Sequence, residues 1–447
     1  MVGYSDRDMI VAPATPLEQR SSLSVIRVSG EGCWDVLSRC FKSKFDNSLT
    51  PWKAVYGDWV DNRGVIDDVV VVPYRAPKSY TGQDMFEITG HGNPVLIEDI
   101  VCSILAAGGR RAKPGEFTMR AVLNGKMDLL AAEGVNELIG AHTRFQADMM
   151  RRQSKGPMVA QVNEGVEDIL QIQAHIEATI DYGEEDIDAL QQDVMLGKMN
   201  QLLVRFRRLL HTSVFVKGMR RGFRVLITGS PNVGKSSLFN TLVRAERSIV
   251  TELPGTTRDL VHENVEICGL PVVLIDSAGV RETGDLVENL GIERIYQMLE
   301  DVDLVLYLSV KGDEKPPYDK LLALPEEKWI TIRTKADLDD ADSRDTVLSI
   351  SSLTGEGLAA LEQEIAKRLS VDMASESVYL INQRQEETVQ AVVSLLEKAV
   401  EDFDAGYGEE ILSSYLNSAR HLLGELTGET SVEDILDRMF SNFCLGK

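Results

Sequence analysis

The sequence predicts a multidomain protein of mixed α/β and α+β class. An α+β domain comes first, followed by a helical domain into which an α/β domain with a mostly parallel sheet is inserted. Length is one reason, because 447 residues suffice for roughly three domains of about 150 residues each. Periodicity is another: the apolar pattern runs from strand-like, to helical, to alternating strand and helix, and back to helical. That return to helix is the third reason, since a helical region split by a complete α/β pattern is what an inserted domain leaves in a sequence.

Residues 1–122 hold short β-like runs such as "VIDDVVVVPY" between Gly and Pro turns, as in an α+β domain. Residues 123–215 turn helical, with Ile169, Ile172, Ile176 and Ile180 at helical spacing between acids and glutamines. Residues 216–377 alternate strands with helices; the strand candidates are "RVLITGS", "PVVLIDSAG", "DLVLYLSV", "KWITIRT" and "TVLSISS". Residues 378–447 read as helical again.

Hydrophobic content of 43% and charged content of 26% are ordinary for a soluble globular protein, and no apolar run approaches the ~18 residues of a membrane span. The start, "MVGYSDRDMIVAPATP", lacks a basic segment followed by an apolar one, so no signal peptide is expected. The five cysteines, Cys33, Cys40, Cys102, Cys268 and Cys444, are scattered and form no C-x-x-C. That argues against a disulfide framework or a zinc site and fits a reducing cytoplasm. The net charge of −23 excludes a broadly basic surface for gripping nucleic acid, so a partner would supply much of any positive face.

The segment "GSPNVGKSSLFN" matches G-x-x-x-x-G-K-[ST] through Gly229, Gly234, Lys235 and Ser236, after a strand-like run and before a helix-like one. Its glycines let backbone N–H groups close around phosphates, Lys235 reaches the β- and γ-phosphates, and Ser236 offers a hydroxyl to Mg²⁺. Asn232, Val233 and Ser237 belong to the same loop. Further on comes "DSAG", that is Asp276, Ser277, Ala278 and Gly279. Asp276 can hold Mg²⁺ through water, and the Gly279 N–H can contact the γ-phosphate. Between these motifs "GTTRD" supplies a mobile switch, with Thr257 as the second Mg²⁺ ligand. "TKAD" follows: Thr334, Lys335, Ala336 and Asp337. Asp337 can accept two hydrogen bonds from a guanine edge, a pattern adenine does not offer. "SISSLTGEG" then puts Ser351, Ser352 and Leu353 where a loop would back the base. The order of the motifs specifies a GTP site far better than any one of them.

Two positions depart from the usual pattern. Thr334 replaces the Asn of N-K-x-D, keeping a hydroxyl and losing the amide. Val280 stands where Ras-like proteins carry a water-orienting Gln, and no arginine finger is evident, though Arg258 and Arg281 are nearby. Water orientation must come from elsewhere. The acidic run "RETGDLVENLGIER" offers Glu282, Asp285, Glu288 and Glu293, among which composition does not choose.

Several blocks carry a resemblance that covers essentially the whole chain: "SYTGQDMFEITGHGN", "KPGEFTMRAVLNGKMDLLAAEGV", the GTPase motifs, "RETGDLVENLGIERI" and the terminal "GELTGETSVEDILDRMFSNFCLGK". Together they resemble the MnmE (TrmE) family of tRNA-modification GTPases, in the TrmE-Era-EngA-like group. DSAG for D-T-A-G, TKAD for N-K-A-D, and Ser351-Ser352-Leu353 for S-A-K are the departures. The resemblance implies a Ras-like P-loop G domain over 216–377, inserted in a helical domain of two parts, 123–215 and 378–447. It implies that domain 1–122 forms a homodimer and binds a one-carbon tetrahydrofolate in the methylene or formyl form, with Arg27, Glu87, Lys126 and Lys447 as folate contacts. It implies activation by K⁺ held by Asn232, Thr251, Leu253 and Thr256, in a GTP-binding loop that also includes Glu252, Pro254 and Gly255. K⁺ there would do the charge neutralisation of an arginine finger. Glu288 matches the family's catalytic Glu, which positions the attacking water through a second water. The implied reaction installs a carboxymethylaminomethyl or aminomethyl group on the wobble uridine of certain tRNAs. It needs the FAD-carrying protein MnmG, in a heterotetramer or larger complex, with the tRNA held largely by MnmG.

Cys444, close to the end of the chain, has three readings. As a C-a-a-X lipid box it is poor, because Gly446 and Lys447 follow it and no basic cluster precedes it. As a core residue it is weak: Phe440 and Phe443 could anchor a last helix, but Cys444 follows them into a glycine-bearing end expected to be mobile. The resemblance places it at the folate and tRNA-modification centre. Two rival functions remain to be weighed. An Era-type ribosome-assembly GTPase would carry a basic KH domain after its G domain, whereas "EEILSSYLNSARHLLGEL" reads as an acidic amphipathic helix. A folate-dependent transferase with a vestigial G domain would not need the intact Lys235, Ser236 and Asp276.

Overall fold

A computed structural model describes residues 7–16, 20–45, 49–182, 189–245, 262–276, 298–310, 319–338, 348–370, 378–429, 439–440, 443 and 446. The chain forms two compact units, residues 1–136 with 423–447, and residues 137–422.

The first unit is built on a seven-stranded sheet. In chain order its strands are β1 (Ile10–Pro13), β2 (Ser21–Ser29), β3 (Phe41–Ser43), β4 (Val55–Asp61), β5 (Gly64–Tyr74), β6 (Met85–Gly92) and β7 (Arg110–Arg111). They lie in the order β3-β4-β5-β6-β2-β1-β7, antiparallel throughout except for the parallel pair β1 and β7. The run "VIDDVVVVPY" becomes β5, where Asp67, Val69, Val71 and Pro73 alternate inward. That alternation is the period-two signature of a strand with one face buried. Helices α1 (Cys33–Cys40) and α2 (Pro94–Ala106) cover the sheet, packing Val36, Leu37, Ile97, Ile100, Val101 and Ile104 against Trp59, Val71, Phe86 and Ile88. α2 starts where it does because Asn93 accepts a hydrogen bond from the Val95 N–H and Pro94 occupies the first turn. Helices α3 (Glu116–Leu123) and α4 (Leu129–Ile139) follow. Phe440 and Phe443, from the far end of the chain, are buried among Met119, Leu129 and Ala132 of these two helices.

The second unit begins with three helices, α5 (Arg144–Gln153), α6 (Pro157–Tyr182) and α7 (Ala189–Arg221). Ile169, Ile172 and Ile176 are buried on α6, as their spacing predicts; the side chain of Ile180 lies outside the described residues. α7 has 33 residues, about 50 Å at 1.5 Å per residue. It leads through Gly222 into β8 (Phe223–Gly229), the first strand of a six-stranded sheet. After β8 come α8 (Lys235–Ala245), β9 (His262–Ile267), β10 (Leu270–Asp276), β11 (Leu304–Ser309), β12 (Trp329–Arg333) and β13 (Leu348–Ser349). The order is β13-β12-β11-β8-β10-β9, all parallel except the β9–β10 pair. The five strands anticipated from sequence are all present. β8 and β11 are almost wholly buried, which is why they read as continuous apolar runs. β9 was not anticipated. It is an edge strand in which only Val265 and Ile267 are buried, so "HENVEI" carries too few apolar residues to stand out.

Beyond residue 378 the described chain holds two long helices, Gln383–Asp404 and Glu409–Thr427, and no strand. The first is capped reciprocally: Asn382 accepts from the Gln385 N–H, and the Gln385 side chain accepts from the Ile381 N–H. Among the described residues no helix is long and apolar enough to cross a membrane.

Candidate functional site

The carboxyl ends of β8, β10, β12 and β13 carry the P-loop, DSAG, TKAD and SISS motifs, on the edge where open parallel sheets place ligands. β8 ends at Gly229, whose φ is 148° and whose absent Cβ would otherwise meet the Leu308 carbonyl oxygen at 2.3 Å. Only glycine passes so close to the neighbouring strand. The loop then runs through Asn232, in a left-handed conformation at φ 62°, to Lys235 at the start of α8. The Lys235 ammonium donates to the carbonyls of Gly229 and Ser230, both at 2.9 Å, so its charge lies over the mouth of the loop. Ser236 Oγ donates to Asp276 Oδ2 at 3.1 Å. The Ser236 hydroxyl and the Asp276 carboxylate therefore converge beside the phosphate-binding loop, oxygen donors of the kind Mg²⁺ takes directly or through water.

Thr334 is buried at the end of β12. Its hydroxyl donates to the Val233 carbonyl at 2.6 Å and also lies 3.2 Å from the Ser309 carbonyl oxygen. One hydroxyl thus ties the base-reading loop to the P-loop. Lys335 follows at φ 62°, and the Ala336 N–H bonds the Ile350 carbonyl at 3.0 Å, fixing TKAD to the SISS loop. Ser351 Oγ donates to Asp337 Oδ1 at 2.6 Å, orienting the carboxylate, and the Thr354 N–H donates back to the same hydroxyl. Ser351 is buried, whereas Leu353 is 86% exposed at the loop tip. The structure thereby brings together Val233, Lys235, Ser236, Asp276, Thr334, Lys335, Ala336, Asp337 and Ser351 around one strand-end crevice. Ser237 and Ser352 lie within the same two motifs. Thr251, Glu252, Leu253, Pro254, Gly255, Thr256 and Thr257 lie outside the described residues, as do Ser277, Ala278, Gly279, Glu288, Cys444 and Lys447.

A second cluster sits on the N-terminal sheet. Arg27 of β2 and Glu87 of β6 are cross-strand partners in register. Arg27 Nε and Nη2 both donate to Glu87 Oε1, at 3.0 and 2.8 Å, while Tyr74 OH donates to Glu87 Oε2 at 3.1 Å. Burial first, and then the adjacent Glu87 charge, push Tyr74 up to about 12, so the phenol stays a donor. The guanidinium lies 4.9 Å from the Tyr80 ring centroid and 5.7 Å from that of Phe117. Lys126 Nζ donates to the Pro77 carbonyl at 3.0 Å and so braces the loop that carries Tyr80. The resemblance singled out Arg27, Glu87 and Lys126; Tyr74, Tyr80 and Phe117 come beside Arg27 and Glu87 through strand register and loop path. At the end of the chain, the Gly446 carbonyl accepts from Arg27 Nη1 at 3.3 Å.

The model for "MnmE helical domain" matches residues 129–444, and that for "GTP-binding protein TrmE N-terminus" matches residues 9–126. The tRNA modification GTPase MnmE of Aquifex aeolicus is 37% identical over 450 residues, covering 99% of this chain and 100% of that protein. The tRNA modification GTPase MnmE of Thermotoga petrophila is 36% identical over 461 residues, covering 98% of this chain and 100% of that protein. Among solved structures, the G domain of the T. maritima FeoB iron transporter is 29% identical, covers 33% of this chain and 98% of its own, and has a TM-score of 0.24, too low to bear on the fold.

Proposed function

The chain belongs to the MnmE family of tRNA modification GTPases, and from that premise we propose that it is a K⁺-activated GTPase whose hydrolysis cycle serves modification of the tRNA wobble uridine. The observation that carries the GTPase reading is the joined crevice: Ser236 on Asp276, Thr334 on the Val233 carbonyl, and Ser351 on Asp337. Lys235 and the P-loop N–H groups hold the phosphates, and Asp337 reads the guanine edge. Ser236 and Thr257 are the Mg²⁺ ligands, with Asp276 behind them. Asn232, Thr251, Leu253 and Thr256 hold K⁺, and Glu288 orients the water. Mg²⁺ and K⁺ supply charge neutralisation at the phosphates; the residues of this chain hold, orient and discriminate.

In the N-terminal domain Arg27, Glu87, Lys126 and Lys447 take a one-carbon tetrahydrofolate, a reading supported by the paired guanidinium between Tyr80 and Phe117. Homodimerisation through that domain and partnership with the FAD protein MnmG complete the proposal, with glycine or ammonium as the amine donor. The net charge of −23 accords with tRNA being held mainly by the partner, and the whole assembly would work in the cytoplasm.

The test is a reconstituted reaction with MnmG, tRNA, GTP and a one-carbon tetrahydrofolate, read by nucleoside analysis. Cys444→Ser should abolish or severely reduce modification while GTP hydrolysis stays near the unmodified rate. Normal modification by that variant would remove the cysteine from the centre. Loss of both activities would make the tail a structural prop instead.

A further inference from the structure

In the run "TPWK", residues 50–53, a tryptophan stands where a turn favours glycine. The Lys53 N–H donates to the Thr50 carbonyl at 3.2 Å, and the Trp52 N–H donates to the Pro73 carbonyl of β5 at 2.8 Å. Trp52 is thus the third residue of a closed turn, with φ 66°. Turns that need a positive φ at that position take Gly or Asn, because a larger side chain crowds the backbone. A bulky residue in that conformation is an outlier, kept only where neighbouring bonds over-determine it. Burial does not explain the choice, since Trp52 is 62% exposed.

The indole is nevertheless oriented. It meets Tyr74 edge to face, with ring centroids 4.7 Å apart and planes at 87°. Such a contact leaves at least one indole face open. Tyr74 in turn donates to Glu87, so the open ring stands one side chain away from the Arg27–Glu87 pair. Cations flank it. Lys53 is next in the chain, and Tyr74 leads directly into a turn carrying Arg75 and Lys78, closed by the Lys78 N–H on the Arg75 carbonyl at 2.8 Å. Arg75 is fixed over the Trp34 ring at 3.6 Å and by Asp84 Oδ2 at 2.7 Å, whereas Lys53 and Lys78 are exposed. Neither run 50–53 nor run 75–78 contains an acidic residue, in a chain of net charge −23. An oriented aromatic face with cations beside it suits single-stranded nucleic acid: the ring stacks on an unpaired base while the cations meet the backbone phosphates.

We propose that Trp52 is a stacking platform for an unpaired base of the tRNA anticodon loop, with Lys53 and Lys78 as contacts to the flanking phosphates. This rests on the reading of the chain as a tRNA-modifying enzyme. Two lysines do not grip a whole tRNA, so the partner's share in holding it is unchanged. What they and the ring add is local: they bring the loop to the edge of the N-terminal sheet beside Arg27 and Glu87.

The test is equilibrium binding of the full-length protein at low salt to a labelled anticodon stem-loop RNA, with a fully paired RNA of equal length as reference. The parent protein should prefer the stem-loop. Trp52→Ala should weaken stem-loop binding about tenfold, as expected for the loss of one base–aromatic stack, and Trp52→Phe should restore most of it. Lys53→Ala combined with Lys78→Ala should flatten the slope of log K against log salt by about 1.4, at ~0.7 per phosphate contact on a single strand. Melting temperature, GTP hydrolysis and 5-formyltetrahydrofolate binding should be unchanged in all three variants. No stem-loop preference in the parent, or normal stem-loop binding by Trp52→Ala, overturns the platform. Loss of folate binding by Trp52→Ala with RNA binding intact assigns the ring to the folate and overturns it too, as does weakened RNA binding that comes only with a lowered melting temperature. Wobble-uridine modification by the parent and its FAD-carrying partner is measured alongside. If it proceeds while the platform fails, the tRNA reading stands without the platform; if the parent modifies no tRNA, both are overturned.

Discussion

At Thr334 the protein replaces an amide with a hydroxyl and still joins the base-reading loop to the P-loop, because the Val233 carbonyl lies 2.6 Å from that hydroxyl. On the proposed reading, selectivity for guanine rests on a different residue, Asp337, whose carboxylate accepts from Ser351 Oγ at 2.6 Å. The two tasks are therefore separable. Thr334→Val keeps the shape of the side chain and leaves the buried Val233 carbonyl without its donor. A lost donor of this kind costs about 1–3 kcal/mol. GTP affinity should fall roughly tenfold, the equivalent of about 1.4 kcal/mol, while GTP still strongly outcompetes ATP. Direct competition binding checks both halves: unchanged GTP affinity would show that the brace is dispensable, and comparable ATP affinity would show that Asp337 does not read the base.

At the scale of elements, α3 joins the edge of the N-terminal sheet through a compact ion network. Arg120 is fully buried and donates to Asp8 Oδ1 at 2.6 Å and Glu116 Oε1 at 3.0 Å, while Arg110 of β7 donates to both carboxylates as well. Burial alone would raise the pKa values of Asp8 and Glu116, but hydrogen bonds from Arg110 and the charges of Arg110 and Arg120 outweigh it and lower both. A lowered folded-state pKa means that the unfolded chain binds more protons as acid is added. The stabilisation is complete above the ordinary values of 3.8 and 4.5 and is lost as pH falls through the depressed folded ones. Glu116→Gln should therefore lower stability at neutral pH and flatten its decline in acid, as measured by denaturant unfolding across pH. An undiminished acid dependence would place the titrating groups elsewhere. Phe440, also on this side of the fold, is 2% exposed against α3 and α4. Phe440→Ala should cost about 3–5 kcal/mol by opening a cavity, and it should free the tail. Protection of the tail in hydrogen exchange should drop, with GTP hydrolysis retained.

Across the whole molecule, the proposed function assigns nucleotide hydrolysis and folate binding to different parts of the chain, and potassium is expected to act on the first alone. No Gln or Arg in the sequence stands where Ras-like hydrolysis would use it, and Asn232 occupies the P-loop position that matches the family's K⁺ contact. Replacing KCl with NaCl should slow GTP turnover markedly and leave binding of a reduced folate unchanged. Glu288→Ala should bind GTP normally and hydrolyse it slowly, since the residue would act on water rather than on nucleotide. Equal rates in the two salts would overturn K⁺ activation, and normal turnover by the variant would move the water-orienting role to another group such as Glu282.

The nucleotide crevice was legible in the sequence because its chemistry is local. Gly229 to Ser236, Thr334 to Asp337 and Ser351 each lie in a short run whose spacing mirrors one loop at one strand end. Strands β8, β10 and β11 were legible for the same reason, since burial on both faces writes a nearly continuous apolar run into each. The edge strand β9 was not, because a half-exposed strand with two buried apolar residues leaves almost no pattern. Tertiary structure alone decided that Thr334 reaches back to Val233, since a span of 101 residues closes there through sheet order, not spacing. It decided likewise that Tyr74, Tyr80 and Phe117 surround the Arg27–Glu87 pair. And it decided that the end of the chain is held at Gly446, because a backbone carbonyl has no letter in the sequence and becomes a specific acceptor only where folding delivers it.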